Sequence, residues 1–514
     1  MTPSLPDWLQ YHADTTPERL ALVAGAVEWS WSKLYCRTGE TAARLAQAGV
    51  GYGDRVGVLL ANGPEFVLVV HALMRLGAVL IPLNTRLTAP ELGWQVEDAG
   101  IKLVLHDEPN APRARMVTAA AGIPAISAQH VTETQGRGGK DTSRNVAVAH
   151  HRRGNTIHPV TPPRSRSIDL SAVHSIVYTS GTTGRPKGAL LTFGNHWWSA
   201  LGSAVNLGNH RHDRWLAVLP MFHVGGLAII FRCAIYGTPM EIHSGFDAAV
   251  VNEAIDRRGV TLVSVVSNML RRMLDEREGR PYPDSLRCVL LGGGPAPRPL
   301  LEECARLGVP VLQTYGLTET ASQAVTLAPE DALRKLGSAG KPLMPTELRI
   351  EHDGLEAAPG QPGEIMLRGP NVSPGYHNIS QKQHKQHDGW LGTGDVGYLD
   401  EEGYLYVLDR RDDLIISGGE NIYPTEVEAV LLSHPSVLEA GVTGLPDARW
   451  GETVAACVVL REGACTVPEE LQAYCREHLA GYKVPSHVEV VVALPRTASG
   501  KLMRRVLRER HAAA

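Results

Sequence analysis

The residues best suited to chemistry lie together in residues 178–188, which read YTSGTTGRPKG. Glycines in this run let backbone amides close around an anion, because glycine adopts conformations that other residues avoid. The apolar strand expected just before it would deliver the loop to the edge of a sheet. The segment therefore predicts a phosphate-binding loop. Its members are Thr179, Ser180, Gly181, Thr182, Thr183, Gly184 and Lys187.

This loop is not the P-loop of many nucleotide-binding enzymes. When GxxxxGK[ST] is counted from Gly181, Pro186 stands at the second glycine and Gly188 at the hydroxyl residue, so the pattern is excluded. An ordinary turn is the alternative interpretation. Four hydroxyl residues and one lysine within the nine residues 179–187 argue against a simple turn.

Further glycine-rich and polar segments follow along the chain. They are 219–223 (LPMFH), 291–297 (LGGGPAP), 313–319 (QTYGLTE), 393–395 (TGD), 409–410 (DR), 418–424 (GGENIYP) and 495–501 (PRTASGK). Together with the loop, their order and spacing resemble the signatures of the adenylate-forming superfamily. That superfamily includes acyl-CoA synthetases, luciferases and the adenylation domains of peptide synthetases. The resemblance spans nearly the whole chain.

The resemblance implies a two-step reaction that uses ATP, Mg²⁺ and coenzyme A. A carboxylate and ATP first give an acyl-adenylate and pyrophosphate, and the thiol of coenzyme A then displaces AMP. Two anions meet in the first step, so charge neutralisation and positioning are required. By resemblance, Lys501 bridges the carboxylate and the α phosphate, Glu319 is the magnesium ligand and His223 lines the acyl site. The residues implied to take part in catalysis are Lys501, His223, Thr179 and Glu319.

The resemblance also implies contacts to the nucleotide and to coenzyme A. Tyr315 would stack on adenine, Asp395 would accept both ribose hydroxyls, and Arg410 would contact the ribose or the α phosphate. The pantetheine arm would pass along Gly418 and Gly419, with Trp450 packed nearby. The other implied nucleotide contacts are Gly292, Gly293, Gly294, Gly316 and Thr318.

One branch of the superfamily matches more closely than the rest. Residues 192–196, 291–304, 335–342 and 407–435 resemble the 2-succinylbenzoate–CoA ligases of menaquinone biosynthesis. The implied substrate is an aromatic keto-diacid, whose second carboxylate needs a partner. The candidate polar groups, among which the sequence does not choose, are Ser264, Ser267, Asn268, Thr320 and Ser322.

Two other functions are alternatives to this one. Another aryl- or acyl-CoA ligase, for example one acting on a benzoate, would keep the same core. A non-enzymatic nucleotide sensor would belong to a different class of protein. The presence of both Lys501 and the phosphate loop argues against the sensor.

The hydrophobic pattern predicts the elements that position these residues. In residues 16–107 and 172–330, short apolar runs alternate with helical periodicity, which is typical of parallel sheets covered by helices. Short strands with glycine turns then predict a small β-rich unit, followed by a compact α+β pattern. We expect an α/β fold with a large N-terminal domain, residues 1–408, whose β-rich subdomain begins at about 345. A hinge at 409–413 and a small mobile α+β domain at 414–514 complete the prediction, and the resemblance places the hinge at Asp412.

Composition narrows the partners and the location. The chain has 50 Lys and Arg against 54 Asp and Glu, which gives no electrostatic case for nucleic acid. No apolar run reaches the ~20 residues of a membrane span, and no secretory signal is expected. Seven cysteines without a CxxC pair favour reduced thiols and a cytoplasmic location. We expect small-molecule partners, and a homo-oligomer stays open.

The basic segment at 136–167 departs from the rest of the chain. It carries seven basic residues and one acid, together with three histidines. A metal or nucleic-acid patch is one interpretation. No cysteine or carboxylate cluster accompanies the histidines, so a solvated surface excursion is favoured.

The role implied for Lys501 leads to a prediction. Lys501→Ala should cripple acyl-adenylate formation, because the lost transition-state contact is worth ~3 to 4 kcal/mol by analogy with an oxyanion-hole donor. Thioester formation from supplied acyl-adenylate should be spared. Acid-dependent ATP–pyrophosphate exchange measures the first step, and an unchanged exchange rate would remove this role from Lys501.

Overall fold

A computed structural model gives the fold of the chain. It describes residues 4–133, 167–179, 186–293, 296, 298–379, 386–410, 415–422, 424–495, 502 and 504–512. The predicted basic segment, apart from residue 167, and the hinge residues 411–413 lie outside this part of the chain. The hinge position therefore stays a prediction.

The helices of the described residues begin and end at recognisable signals. The Asp7 carboxylate accepts the backbone N–H of Leu9 and so caps the first helix. Gly77, at φ 69°, ends the helix that carries the most buried face. The helices are Trp8–Thr15, Trp31–Gln47, Pro64–Leu76, Ala89–Asp98, Ala111–Ala121, Ala128–Thr132, Phe193–Leu207, Val224–Tyr236, Ala248–Arg257, Ser267–Arg277, Arg298–Arg306, Pro424–Ser433, Pro468–His478 and Arg504–Ala512.

The first large sheet holds the strands that flank the phosphate loop. Its spatial order is Gly375–Tyr376, Lys187–Thr192, Val173–Thr179, Val79–Pro82, Arg55–Leu59, Leu103–His106 and Ala125–Ser127. The last five strands in this order run parallel. Lys187–Thr192 returns antiparallel to Val173–Thr179, so the two ends of the loop lie side by side.

The second large sheet brings three of the signature segments to one edge. Its order is Lys341–Pro342, Val325–Thr326, Val311–Tyr315, Cys288–Leu291, Leu262–Val265, Trp215–Ala217, Met240–Ile242, Leu20–Ala24 and Val27–Ser30. The strands from Val311–Tyr315 to Leu20–Ala24 are parallel. Carboxyl ends of parallel strands meet at one edge of a sheet, where ligands commonly bind.

Two smaller sheets follow, as the sequence predicts. The β-rich sheet contains Leu355–Glu356, Glu347–His352, Gly363–Arg368, Trp390–Leu399, Gln386–His387 and Leu405–Arg410. The sheet of the small C-terminal domain contains Glu420–Ile422, Ile415–Ser417, Gly451–Leu460, Val437–Asp447 and His487–Val490. The predicted α/β class, with a large N-terminal and a small C-terminal domain, is confirmed. Residues 409–410 of the predicted hinge are the last two of strand Leu405–Arg410.

The largest apolar cluster joins the two parallel sheets through buried helices. It includes the inward faces of Pro64–Leu76 and Val224–Tyr236, which are apolar over almost their whole length. Within the described ranges, no helix is long and apolar enough to cross a membrane. All seven cysteines lie in these ranges and are free thiols.

Three histidines, His71, His174 and His196, are enclosed in this cluster without a negative charge strong enough to keep them protonated, and burial lowers the pKa of His174 well below its ordinary value. Burial lowers the pKa of His71 to about 4. Burial, assisted by nearby Arg232, lowers the pKa of His196 to about 3. The ring of His196 stacks on Phe231 with centroids 4.2 Å apart. All three imidazoles are therefore neutral in the folded chain at neutral pH.

These shifts predict that the protein loses stability in mild acid. Below the ordinary pKa of 6.5 the unfolded chain protonates these histidines while the folded chain does not, so stability falls as pH falls. Each histidine should contribute a loss of about 1.4 kcal/mol per pH unit, down to its folded pKa. Denaturant unfolding between pH 8 and 5 measures this. His196→Gln should flatten the slope, whereas His212→Gln, at an exposed position, should not; equal slopes in both variants would contradict the assignment.

Candidate active site

A cavity of about 610 Å³ opens where the large sheets meet the small domain. Strand ends and the turns after them supply its large-domain wall, and the small domain supplies the opposite wall. Lining residues from the predicted set are Thr179, Lys187, His223, Gly292, Gly293, Gly316, Thr318, Glu319, Asp395, Gly418 and Gly419. The structure thus brings residues predicted from six separate segments around one cavity.

Lys187 and Glu319 converge on the same side of this cavity. Lys187 pairs in register with Thr179 on the neighbouring strand, which places the two ends of the phosphate loop together. The Lys187 ammonium lies 5.7 Å from the centre of the Tyr376 ring, and the Tyr376 hydroxyl donates to Glu319 Oε1 at 2.6 Å. Tyr376 therefore connects a lysine ammonium, a group suited to phosphate, with a carboxylate, a group suited to a hard metal ion.

The residues that follow strand Val311–Tyr315 form a tight turn around Gly316. A Cβ at Gly316 would lie 1.6 Å from the carbonyl oxygen of Ser322, so only glycine fits here. The next turn is strained, with Ala321 at φ 52° and Ser322 at φ 96°. Such strain is typical of sites where the backbone must present groups to a ligand.

Tyr315 and Asp395 are linked directly. The Tyr315 hydroxyl donates to Asp395 Oδ2 at 2.7 Å. Tyr315 is 7% exposed, packs in the apolar cluster of the β-rich unit and is not among the described lining residues of the cavity. Its stacking on adenine stays a prediction. The backbone of Arg410 pairs with Asp395 across the sheet.

Glu420 of the small domain reaches across to the large domain. Its Oε2 lies 3.0 Å from Nε2 of His223, and its other oxygen accepts from the Arg86 guanidinium. Burial favours the neutral acid, but His223 and Arg86 outweigh it and lower the pKa of Glu420. The carboxylate is therefore charged, and it holds His223 in the cavity between the two domains.

The two glycines before Glu420 form a narrow strip. Gly418 is at φ 57°, and a Cβ there would lie 2.9 Å from the Trp450 ring. Gly419 is at φ 83°, and its Cβ would lie 3.2 Å from Val266 of the large domain. Trp450 and Val266 thus occupy the space that side chains would need, so glycine fits both positions and bare backbone of the small domain lines the cavity.

Arg232 is a cavity residue that the sequence analysis missed. It is 1% exposed on helix Val224–Tyr236 and lines the cavity. Nη2 donates to Ser322 Oγ at a long 3.4 Å, and Nε has no partner in the described structure. Burial lowers the pKa of Arg232, because the nearest groups that oppose burial are Tyr236 and cysteine thiols rather than carboxylates. The signal in the sequence was one arginine inside the apolar run VGGLAIIFRCAIY.

The five polar candidates for the second carboxylate separate into two groups. Ser264 and Ser322 line the cavity, and Ser264 Oγ already accepts from Trp215 Nε1 at 3.1 Å. Ser267, Asn268 and Thr320 are not among the described lining residues. Asn268 donates instead to the Arg449 carbonyl at 2.8 Å.

Some predicted site residues lie outside the described part of the chain. They are Ser180, Gly181, Thr182, Thr183, Gly184, Gly294, Lys501 and the side chain of Arg410. Their roles stay predictions.

Comparison with known proteins identifies the class. Family models for AMP-binding enzymes match residues 9–377, and the model for their C-terminal domain matches residues 426–501. The chain belongs to the AMP-binding enzyme family. It is 50% identical over 512 residues to a 2-succinylbenzoate–CoA ligase of Geobacillus kaustophilus, with 98% of each chain covered.

Two solved structures of one Bacillus subtilis enzyme, o-succinylbenzoate CoA synthetase, are similar to different degrees. A double mutant bound with its product analogue OSB-NCoA matches with a TM-score of 0.90 at 43% identity, covering 99% of both chains. The complex with ATP and magnesium ion matches with a TM-score of 0.71 at 43% identity, covering 98% of this chain and 99% of that one.

Proposed function

We infer that this chain ligates 2-succinylbenzoate to coenzyme A, using ATP and passing through an acyl-adenylate, in menaquinone biosynthesis. AMP and pyrophosphate are the other products. The observation that carries the inference is the full-length match to a 2-succinylbenzoate–CoA ligase at 50% identity. The chemistry of the cavity supports it, because cationic, carboxylate and glycine-lined surfaces converge there.

The phosphate loop and Lys187 would hold the ATP phosphates in the first step. Glu319 suits Mg²⁺, because a hard cation prefers a carboxylate. Tyr376 contacts both Glu319 and Lys187, so the ion would lie on the side of the cavity where Lys187 would hold the phosphates. Bound there, the ion would neutralise phosphate charge. Asp395 would orient the ribose with Arg410 beside it, and Lys501 would stabilise the charge between carboxylate and α phosphate.

Arg232 is the proposed binding partner of the acid's second carboxylate. A buried arginine without a carboxylate partner carries an uncompensated charge, which is costly inside a protein. A carboxylate that enters the cavity would form a charge-assisted pair with it, and Ser322 Oγ would add a hydroxyl. We therefore assign the second carboxylate of 2-succinylbenzoate to Arg232. A benzoate or a fatty acid offers no such group.

The second step would use the arrangement seen in this chain. At equal identity, the match is closer to the Bacillus subtilis structure with a product analogue than to the one with ATP. The strip at Gly418 and Gly419 then borders the cavity, where it would admit the pantetheine thiol. For the first step the small domain would rotate about Asp412 to bring in Lys501. We place the domain boundary at 409–413 for this reason.

The proposal extends to location and partners. The free state of all seven cysteines supports a reducing compartment, the cytoplasm. The partners would be the acid, ATP and coenzyme A, without nucleic acid and without membrane insertion. A homo-oligomer remains compatible with this function.

The substrate assignment predicts a ranking of acids. Pyrophosphate release that depends on both ATP and coenzyme A should be fastest with 2-succinylbenzoate in a panel that includes benzoates and fatty acids. Faster turnover of a benzoate or a fatty acid would make the substrate assignment wrong and leave a different aryl- or acyl-CoA ligase.

The assignment of Arg232 predicts a change in selectivity. Arg232→Met should lower kcat/KM for 2-succinylbenzoate by about 10- to 100-fold, because a hydrogen bond to a charged group contributes about 1.5–3 kcal/mol. It should leave the slow reaction of a monocarboxylic aryl acid almost unchanged. Arg272→Met is the matched control, since Arg272 is exposed and lies outside the described lining. Equal losses for both acids would show that Arg232 only supports the fold.

A further inference from the structure

The two domains also meet through a buried ion pair whose residues, Glu91, Glu426 and Lys483, are part of the cavity lining. Lys483 of the small domain lies 3.0 Å from Glu91 of the large domain and 2.7 Å from Glu426 of its own domain. The Lys483 side chain is 5% exposed, against 11% for Glu91 and 6% for Glu426. Removing three charges from water is costly unless they are paired, so this contact depends on accurate docking.

Glu91 is held in place before the small domain arrives. Its Oε2 accepts from both the backbone N–H and the hydroxyl of Thr88, each at 2.8 Å, in the capping box of helix Ala89–Asp98. Its Oε1 is left to face Lys483. The large domain therefore carries a preorganised carboxylate, and little side-chain entropy is lost when the lysine docks.

The surroundings of this pair form a continuous docking surface. The Thr88 hydroxyl lies 3.3 Å from the carbonyl oxygen of His478 in the small domain. Ala480, two residues further on, is buried in one apolar cluster with Leu87 and Leu92. An ion pair, a polar contact and apolar burial thus occur together around the N-terminus of helix Ala89–Asp98.

We propose that Glu91 and Lys483 are positioning residues that hold the small domain in its thioester-forming arrangement. The proposal rests on the two-step function above. Glu91 and Lys483 belong to different domains, so a rotation that brings Lys501 to the cavity separates them. Glu426 moves with Lys483, which therefore keeps one carboxylate in both arrangements. The retained Glu426 contact limits the free-energy cost of changing between the two arrangements. Glu91 favours the thioester-forming arrangement, because it contacts Lys483 only there.

The pair differs from the surface ion pairs of the chain. Lys102 and Asp54, for example, are 47% and 27% exposed and lie in one domain. Such pairs contribute little to stability because water screens them. The Glu91–Lys483 pair is much less exposed, at 11% and 5%, and joins two domains, so its charge acts on the equilibrium between their arrangements.

The test uses Glu91→Gln, which keeps an oxygen for the helix cap and removes the charge. Glu97→Gln, on the exposed face of the same helix, is the matched control. In single-turnover assays, Glu91→Gln should slow consumption of acyl-adenylate by coenzyme A about fivefold or more, the usual scale of conformational coupling. Acyl-adenylate formation should stay within about twofold of the parent.

A second measurement reads the arrangement without any reaction. Of the seven cysteines, Cys36 in the large domain and Cys465 in the small domain are exposed, and the other five are buried. Spin labels on these two thiols allow the interdomain distance distribution to be recorded by pulsed electron resonance. Glu91→Gln should reduce the population at the distance of the present arrangement, and Glu97→Gln should not.

The outcomes separate this proposal from the proposed function. Equal slowing of both steps, or an unchanged distance distribution in Glu91→Gln, overturns the positioning role. If 2-succinylbenzoate is not the preferred acid, the kinetic arm is run with the acid that is adenylated fastest. If no acid is adenylated, the proposed function fails, and the distance measurement alone then decides whether Glu91 holds the small domain.

Discussion

The hydrogen bond between the side chains of Glu420 and His223 is the interaction on which the assembled cavity depends. Each residue belongs to a different domain, and Arg86 adds a second large-domain contact to the same carboxylate. A charged acid in a buried place is stable only when such partners are present. The small domain therefore fits against the large one in a defined orientation, and the glycine strip beside Glu420 is carried to the cavity with it.

The large domain can supply its share of the site because two parallel sheets end at the same region. The turns after Leu291 and Tyr315 follow neighbouring strands of the second sheet, and the phosphate loop follows the first. Helices Pro64–Leu76 and Val224–Tyr236 pack between them and fix their relation. The latter helix also carries Arg232, so one buried element both supports the fold and projects a charge into the cavity.

Local patterns in the sequence predict much of this architecture, but they do not predict contacts between residues that are far apart in the chain. Strand Val311–Tyr315 lies in residues 172–330, where the pattern predicts alternating strands and helices, and helix Pro424–Ser433 lies in the predicted α+β domain, because short apolar runs and helix starts are local signals. The hairpin of Leu20–Ala24 and Val27–Ser30 was missed as part of the second sheet, since its partner Met240–Ile242 is over 200 residues away. Most described members of the predicted site line the cavity, because family signatures carry that information.

Arg232, Glu91 and Lys483 show why the remainder of the site was hidden. A single arginine in an apolar helix has no periodic signature in the sequence. Only the folded structure shows that Arg232 lines the cavity. Glu91 contacts a lysine 392 residues further along the chain. An ion pair between two domains depends on how the domains are arranged, so it has no characteristic spacing in the sequence.

The tight packing of Gly316 against Ser322 has a consequence for redesigning the acid pocket. Under the proposed function, Gly316 would border the nucleotide, whereas Ser322, which contacts Arg232, would border the acid. A change of shape at either residue is transmitted to the other through the carbonyl that separates them. Libraries intended to alter acid choice while keeping ATP use would therefore do better to leave Gly316 and Ser322 unchanged and to vary Val224, which lines the cavity on the helix that bears Arg232.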